Sequence, residues 1–341
     1  MSDRRNNRFG PFRRRRRLRL APTFGPPELN RNEEAEPPQP VPVPAIENSD
    51  KPQLISDRYI LLENVEGTKL RKALDIITKK EYSCSVLNRQ IGATVLEAHF
   101  RLQSSEFVAQ PTEIITAGSE EFIFYPKNHG DIHAYVRDHL IRDEDQAQMI
   151  IRQIVGAVAD CHSAGIVLTD LKMRRFVFAN AKKTKVVLET LEDATLLSSV
   201  EDVRSYRRIG YPAYMAPEAI FCARGGSFAG RPADVWALGV MIYTVLVGKY
   251  PFNDPNPLAL FSKIVQGYYQ LPDDMSHHAK CLIRNLLLRD PTQRLTAEDI
   301  LAHPWFADKD DLIGRVKRDN AEGEEETGED QQVPLFGLGS D

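Results

Sequence analysis

The apolar residues of this 341-residue chain change their period near Gly130, and that change constrains the fold more than any single motif. Before it, short apolar runs at 59–62, 82–87 and 121–125 have the character of strands. After it, Ile150, Ile151, Ile154, Val155, Val158 and Ala159 recur at helical spacing. Val235, Leu238, Met241, Ile242 and Val245 do the same, and Pro291, Thr296 and Pro304 mark starts or stops of later helices. A strand-rich part followed by a helix-rich part predicts an α+β fold with a small strand-rich N-lobe and a larger helical C-lobe.

The flanks do not share this pattern. Residues 1–55 are rich in Arg, Pro, Asn and Glu, with alternating prolines at Pro40, Pro42 and Pro44, and are expected to be a disordered arm. The folded domain is expected over 56–307, and 308–341 as an acidic tail ending in an apolar knot at 333–338. The net charge of −4 hides this asymmetry: arginines at 4, 5, 8, 13–17 and 19 crowd the start, whereas every charge from Asp319 onward is acidic. Hydrophobic content of 42% supports a sizeable core. No apolar run approaches the ~18 residues of a membrane span. The arginine-rich start has no apolar stretch behind it, so no secretory signal is expected. Cys84, Cys161, Cys222 and Cys281 lack paired metal-ligand spacing and are expected to be buried thiols of a reducing, intracellular compartment.

Several motifs follow one another in a recognisable order. Tyr-Met-Ala-Pro-Glu at 214–218 resembles the close of a protein-kinase activation segment. Asp-Val-Trp-Ala-Leu-Gly at 234–239 resembles the helix that follows it, and Tyr-Pro-Phe at 250–252 the end of that helix. Arg294 stands where kinases keep the arginine that pairs with the activation-segment glutamate, here Glu218. His-Pro-Trp-Phe at 303–306 resembles the end of calmodulin-dependent-type kinase domains. The resemblance implies a bilobal protein-kinase-like fold.

Phosphoryl transfer needs a glycine-rich cover, a strand lysine, a catalytic aspartate, and an Asn and Asp that hold Mg²⁺. Between Leu61 and Leu74 only Gly67 remains of the cover. The lysine position falls on Ser85, and Lys79, six residues away, is about 20 Å distant along the strand. Asp170 and Lys172 keep the catalytic-loop positions, but Leu168 and Thr169 replace His-Arg, and Arg175 stands at the metal-binding Asn. A cation there repels Mg²⁺. Thr190, Leu191 and Glu192 occupy the Asp-Phe-Gly position. Glu189, Glu192 and Asp193 offer oxygens, but none is in the register of the lost aspartate, and exposed charge is expected of them. Asp170 is expected to organise its loop, hydrogen-bonded to Lys172. No cofactor or metal is expected.

Leu-Thr-Asp-Leu-Lys-Met-Arg-Arg-Phe-Val-Phe at 168–178 and Thr-Leu-Glu-Asp at 190–193 resemble the signatures of the Tribbles pseudokinases. Gly-Asp-Ile-His-Ala-Tyr-Val at 130–136 and Leu-Phe-Ser-Lys-Ile at 260–264 are similar to that family as well. Tribbles relatives commonly keep the lysine that is Ser85 here, so this chain departs further from activity. The segment Ile300, Leu301, Ala302, His303, Pro304, Trp305 and Phe306 resembles the one that binds mitogen-activated protein kinase kinases. The same segment closes active kinase domains, where its aromatic residues pack on the lobe. Asp330, Gln331, Gln332, Val333 and Pro334 resemble a docking peptide for the constitutive photomorphogenic-type E3 ubiquitin ligase. The family follows that proline with an acidic residue; Leu335 follows it here.

The resemblance implies an adaptor that holds substrates, such as CCAAT/enhancer-binding transcription factors, on its C-lobe while its tail recruits the ligase. It also implies modulation of mitogen-activated kinase signalling and Akt as a further partner. The arginine block reads as a nuclear import signal, and nucleus and cytoplasm are the expected locations. The alternatives are a weak metal-independent serine/threonine kinase with Asp170 as base, and a decoy that docks on a signalling kinase through 300–306.

Overall fold

In the computed structural model of the protein the described residues are 52–307, apart from 66, 140, 142, 198–209 and 223–227. The tail from 308, its ligase-docking residues Asp330 to Pro334, and the arginine-rich arm lie outside the described residues.

The N-lobe is a six-stranded antiparallel sheet in the order β1-β2-β3-β4-β6-β5. Its strands are β1 (Gln53–Ile55), β2 (Tyr59–Asn64), β3 (Arg71–Asp75), β4 (Glu81–Asn88), β5 (Glu113–Ala117) and β6 (Glu120–Pro126). The first strand begins ahead of the boundary expected at 56, because Gln53, Leu54 and Ile55 pair with β2 and Ile55 is buried. Ser85 is on the fourth strand of the sheet, β4.

Helix α1 (Arg89–Arg101) crosses one face of this sheet, started by the Asn88 side chain accepting from the Ile91 amide. Alternation along β6 divides its side chains between two cores. Phe122 and Phe124 join Ile55, Tyr59, Leu61, Ala73 and Cys84, with the Tyr59 and Phe124 rings stacked 4.1 Å apart. Ile123 and Tyr125 turn to the other face and join α1 through Val95 and Ala98.

The C-lobe is helical. It contains α2 (Ile132–Asp138), α3 (Glu144–Ser163), α4 (Pro217–Cys222), α5 (Gly230–Val247), α6 (Pro257–Gln266), α7 (His277–Leu286) and α8 (Ala297–Leu301). Side chains of Asp131, Asp143, Asn256, Ser276 and Thr296 cap five of them, each meeting amides that lack an intrahelical acceptor. Helix α5 is apolar around nearly its whole circumference, so it is buried on all sides and acts as the pillar of the lobe. Gly239 lets α7 approach it: a Cβ there would stand 2.8 Å from the Leu286 Cβ. Each fully buried side chain along it contributes about 1.5–3 kcal/mol.

Between the lobes run β7 (Ile166–Val167), β8 (Phe176–Phe178), β9 (Val186–Leu188) and β10 (Thr195–Leu196), paired as β7 with β10 and β8 with β9. These two small sheets carry the loops of the cleft. The cysteine expectation needs correction: Cys84 and Cys161 are buried, but Cys222 is half-buried and Cys281 is exposed. On α7 the buried face runs through Ala279, Leu282, Ile283 and Leu286, which turns Cys281 outward. No helix among the described residues is long and apolar enough to cross a membrane.

Candidate functional site

The frame beneath the cleft is tied together by two buried charged groups, Arg294 and Asp234. The Arg294 guanidinium donates Nη1 to Glu218 Oε1 at 2.7 Å and Nη2 to Glu218 Oε2 at 2.8 Å. It also donates to the Pro232 carbonyl at 2.7 Å and lies 5.0 Å from the Trp236 ring centroid. Its side chain has no solvent exposure, so the forked ion pair pins the 214–218 segment to the base of α5. Asp234, near the start of α5, accepts from the Leu168 and Thr169 amides at 2.8 and 3.1 Å and meets His162 Nε2 at 3.0 Å. Three bonds to one buried carboxylate fix the start of the catalytic-type loop. Thr169 takes a left-handed φ of 52° there, and its hydroxyl donates to the Asp193 carbonyl at 2.6 Å.

Above this frame the cleft holds its own ions. Lys172 Nζ donates to Asp170 Oδ2 at 2.7 Å, the bond expected from the sequence. The Tyr211 amide reaches Asp170 Oδ1 at 3.3 Å. Lys172 holds the Asp170 carboxyl below its ordinary pKa even though burial pushes it up. Arg175, at the expected metal position, lies between two carboxylates: its Nη2 is 3.4 Å from Asp170 Oδ2 and is ion-paired with Asp193 Oδ2. Lys69, from the loop between β2 and β3, reaches down to Asp193 Oδ1 at 2.8 Å. That loop is held low, because a Cβ at Gly67, where φ is +73°, would sit 2.9 Å from Arg174 Nη1.

The acidic residues of 189–193 correct a second expectation. Glu189, Glu192 and Asp193 are buried, not exposed, because β4 and the β2–β3 loop lie over them. Ser85, itself wholly buried, donates its hydroxyl to Glu192 Oε1 at 2.5 Å. Ser83, two residues earlier and so on the same strand face, donates to Glu189 Oε1 at 3.5 Å. Asn128 Nδ2 donates to the same oxygen at 2.5 Å. Burial pushes the Glu189 carboxyl up to about 7, with the charge on Glu192 adding to the shift. Thr190 and Leu191 are buried between these acids.

Mg²⁺·ATP does not fit this residue set. Ser85 has no cation to offer a phosphate, and the guanidinium of Arg175 holds the carboxylates that a metal would need. The space left under the loop is a cavity of about 170 Å³ lined by Lys69, Leu70, Asp170, Lys172, Arg175 and Thr190. Small-molecule sites enclose about 300–1,000 Å³. No group of three or more His, Cys, Asp or Glu residues that could hold a metal occurs among the described residues.

The other sequence-nominated segment, 300–306, is part of the C-lobe core. Ile300, Trp305 and Phe306 are buried, whereas Leu301 and His303 are half-buried and Pro304 is exposed. Trp305 Nε1 donates to Glu144 Oε2 at 2.9 Å, and Gln148 Nε2 donates to the Trp305 carbonyl at 2.6 Å. Arg152 donates to the Phe306 carbonyl and lies 4.9 Å from its ring centroid. Sequence reasoning named Ser85, Asp170, Lys172 and Arg175 but missed Ser83, Asn128 and Lys69. Two hydroxyls on one face of a buried strand demand acceptors, and that was the readable signal.

The forked arginine–glutamate pair, the Asp234 anchor and the two-lobed frame define a protein-kinase fold. The protein kinase domain family matches residues 96–306. Mouse Tribbles homolog 3 is 39% identical over 309 residues, covering 88% of this chain and 86% of the relative. Dog Tribbles homolog 2 is 42% identical over 250 residues (73% and 72%), and human Tribbles homolog 1 is 42% identical over 255 residues (75% and 68%). The chain belongs to the Tribbles family of pseudokinases.

Proposed function

We propose that this chain is a catalytically silent adaptor, which presents bound proteins to a constitutive photomorphogenic-type E3 ubiquitin ligase. The observation that carries the silent half is Arg175, whose guanidinium holds Asp193 and Asp170 where a kinase needs Mg²⁺. The intact Arg294–Glu218 and Asp234 frame supports the other half, since it preserves a C-lobe surface that can hold a peptide without a reaction. The sequence at 330–334 supplies the ligase-docking chemistry: Val333 and Pro334 form a short apolar anchor that needs little ordering. One chain holding both partners raises the effective concentration of ligase beside its substrate.

Calorimetry on the full chain tests this reading. No heat with Mg²⁺·ATP and saturable binding of the ligase's substrate-binding domain, lost when the chain is cut after Asp319, are expected. ATP binding together with ligase indifference would leave the weak-kinase reading standing instead.

Binding of mitogen-activated protein kinase kinases and of Akt belongs to the same proposal, with nuclear and cytoplasmic residence. For the 300–306 segment the half-buried and exposed Leu301, Ala302, His303 and Pro304 are the residues available to a partner, because Ile300, Trp305 and Phe306 are committed to the core.

A further inference from the structure

Three side chains of the 189–193 segment reach the N-lobe: Glu189 accepts from Ser83, Glu192 accepts from Ser85, and Asp193 pairs with Lys69. The first two contacts differ from the third. Lys69 and Asp193 bring opposite charges together, whereas Glu189 and Glu192 meet only neutral donors from the N-lobe. The neutral donors are two serine hydroxyls and, from the strand connection, the Asn128 amide.

Every element packed on the pair can be checked for a cation. From β4 come Ser83 and Ser85, and from β6 comes the Tyr125 phenol. From the loop before β8 comes Arg175, whose guanidinium is engaged by Asp193 and Asp170. Glu189 itself lines the adjoining cavity with Lys69, Lys172 and Arg174; the two lysines are held by Asp193 and Asp170, and the Arg174 guanidinium lies against Gly67. Glu192 Oε2 is buried and meets no donor among the described residues, and Glu192 is not among the residues lining that cavity.

We propose that the Glu189–Glu192 pair is a protonation-dependent latch that sets how firmly the N-lobe sheet is seated on the cleft segment. With one proton on the pair, a single negative charge is buried against the serines and Asn128, and the lobes stay closed. Loss of that proton buries a second like charge where the nearest cation acting on Glu189, Arg175, is already ion-paired with Asp193 and Asp170, and the contact between β4 and 189–192 loosens. The position of Glu189, pushed up to about 7, puts this transition near neutrality. Its raised value means that the closed state holds a proton which a solvated carboxyl releases near pH 4.5. Closure is thus favoured at acid pH and declines as pH rises through about 7, changing the closed-to-open ratio about tenfold between pH 6 and pH 8. The proposal is independent of the adaptor reading.

The test is an interlobe distance measured by double electron–electron resonance on the full chain. Spin labels go on Ile77→Cys and Met149→Cys, both at exposed positions, in a Cys222→Ser, Cys281→Ser background. The expected result is a longer-distance population that grows from pH 6 to pH 8. Glu189→Gln, isosteric and neutral, keeps the short distance at both values. Glu192→Gln shifts the wild-type midpoint to lower pH, because it removes the like charge. An unchanged wild-type distribution, or a Glu189→Gln variant that still moves with pH, overturns the latch. Should the labelled chain fail to fold, unlabelled thermal scans decide. The stability gap between Glu189→Gln and wild type widens from pH 5 to pH 7 if the latch exists, and a constant gap overturns it. The gap is the proper quantity because His99, lowered to about 4 by burial, makes stability fall toward acid in both proteins.

Discussion

The base of the C-lobe and the cleft above it use the same kinds of residue to opposite ends. At the base, Arg294 and Glu218 form one forked, nearly dry pair with every donor directed to an acceptor. In the cleft, Lys69, Lys172 and Arg175 are shared among Asp170 and Asp193, while the hydrogen bonds to Glu189 and Glu192 among the described residues come from neutral donors. The first arrangement fixes geometry, and the second fills a reaction site with its own countercharges. A fold can therefore keep the parts that hold its activation segment after the parts that handled phosphate have been turned inward.

The largest effect is expected at the base. Arg294→Ala leaves the Glu218 carboxylate without its cation and opens a void beside Trp236, costing about 3–5 kcal/mol of stability in denaturant unfolding. A loss under about 1 kcal/mol would mean that the base is no more rigid than the cleft. Trp305→Ala is expected to cost about 3 kcal/mol, since it empties a buried site and removes one of the two donors to Glu144 Oε2, leaving only the Ser276 hydroxyl. The contrast is Pro304→Ala, which is exposed and should leave the unfolding midpoint unchanged. Partner binding lost with Pro304→Ala at full stability would identify a docking contact; binding lost only with Trp305→Ala would identify unfolding.

Arg175→Ala comes next, at about 2 kcal/mol, because it leaves Asp193 and Asp170 facing one another with only the two lysines between them. The informative partner is Arg175→Asn. It restores the residue type of a metal site but not Ser85, so no thermal shift with Mg²⁺·ATP is expected. A clear shift would show that Arg175 alone had silenced the cleft.

The base was legible in the sequence and the cleft was legible only as a set of losses. Glu218 and Arg294 could be paired on paper because their motifs specify partners at fixed places along the fold, whereas Asp234 was placed by its motif without a partner. The period change near Gly130 gave the lobes, and β6 shows why strand alternation is reliable: one face serves each core. Ser85 and Arg175 were readable as replacements, yet a replacement does not announce its new partner. The acids at 189, 192 and 193 were expected to be exposed because charge usually is. Their burial depends on β4 and the β2–β3 loop closing over them, a tertiary fact that no local pattern encodes. The strand Gln53–Ile55 was missed for a related reason: three residues after a proline-rich arm carry no period of their own, and only pairing with β2 makes them a strand.

The smallest expected effect bears most directly on the comparison. Lys69 is 64% exposed and Asp193 only 7%, so their bond is a surface cation reaching toward a buried anion. Solvent screens the lysine end, and Asp193 also has Arg175, so Lys69→Met should cost only about 0.2–1 kcal/mol. Its consequence should instead be local. Hydrogen exchange at 67–70 ought to accelerate while exchange in α5 stays constant, because the loop loses its tie to the cleft and the base loses nothing. Added salt should weaken the wild-type contact and bring its loop exchange toward that of the variant, since an exposed ion pair is screened and a buried fork is not. Salt-independent loop exchange would place Lys69 with the base residues rather than the cleft residues, and the division between a dry frame and a self-filled site would have to be redrawn one layer higher.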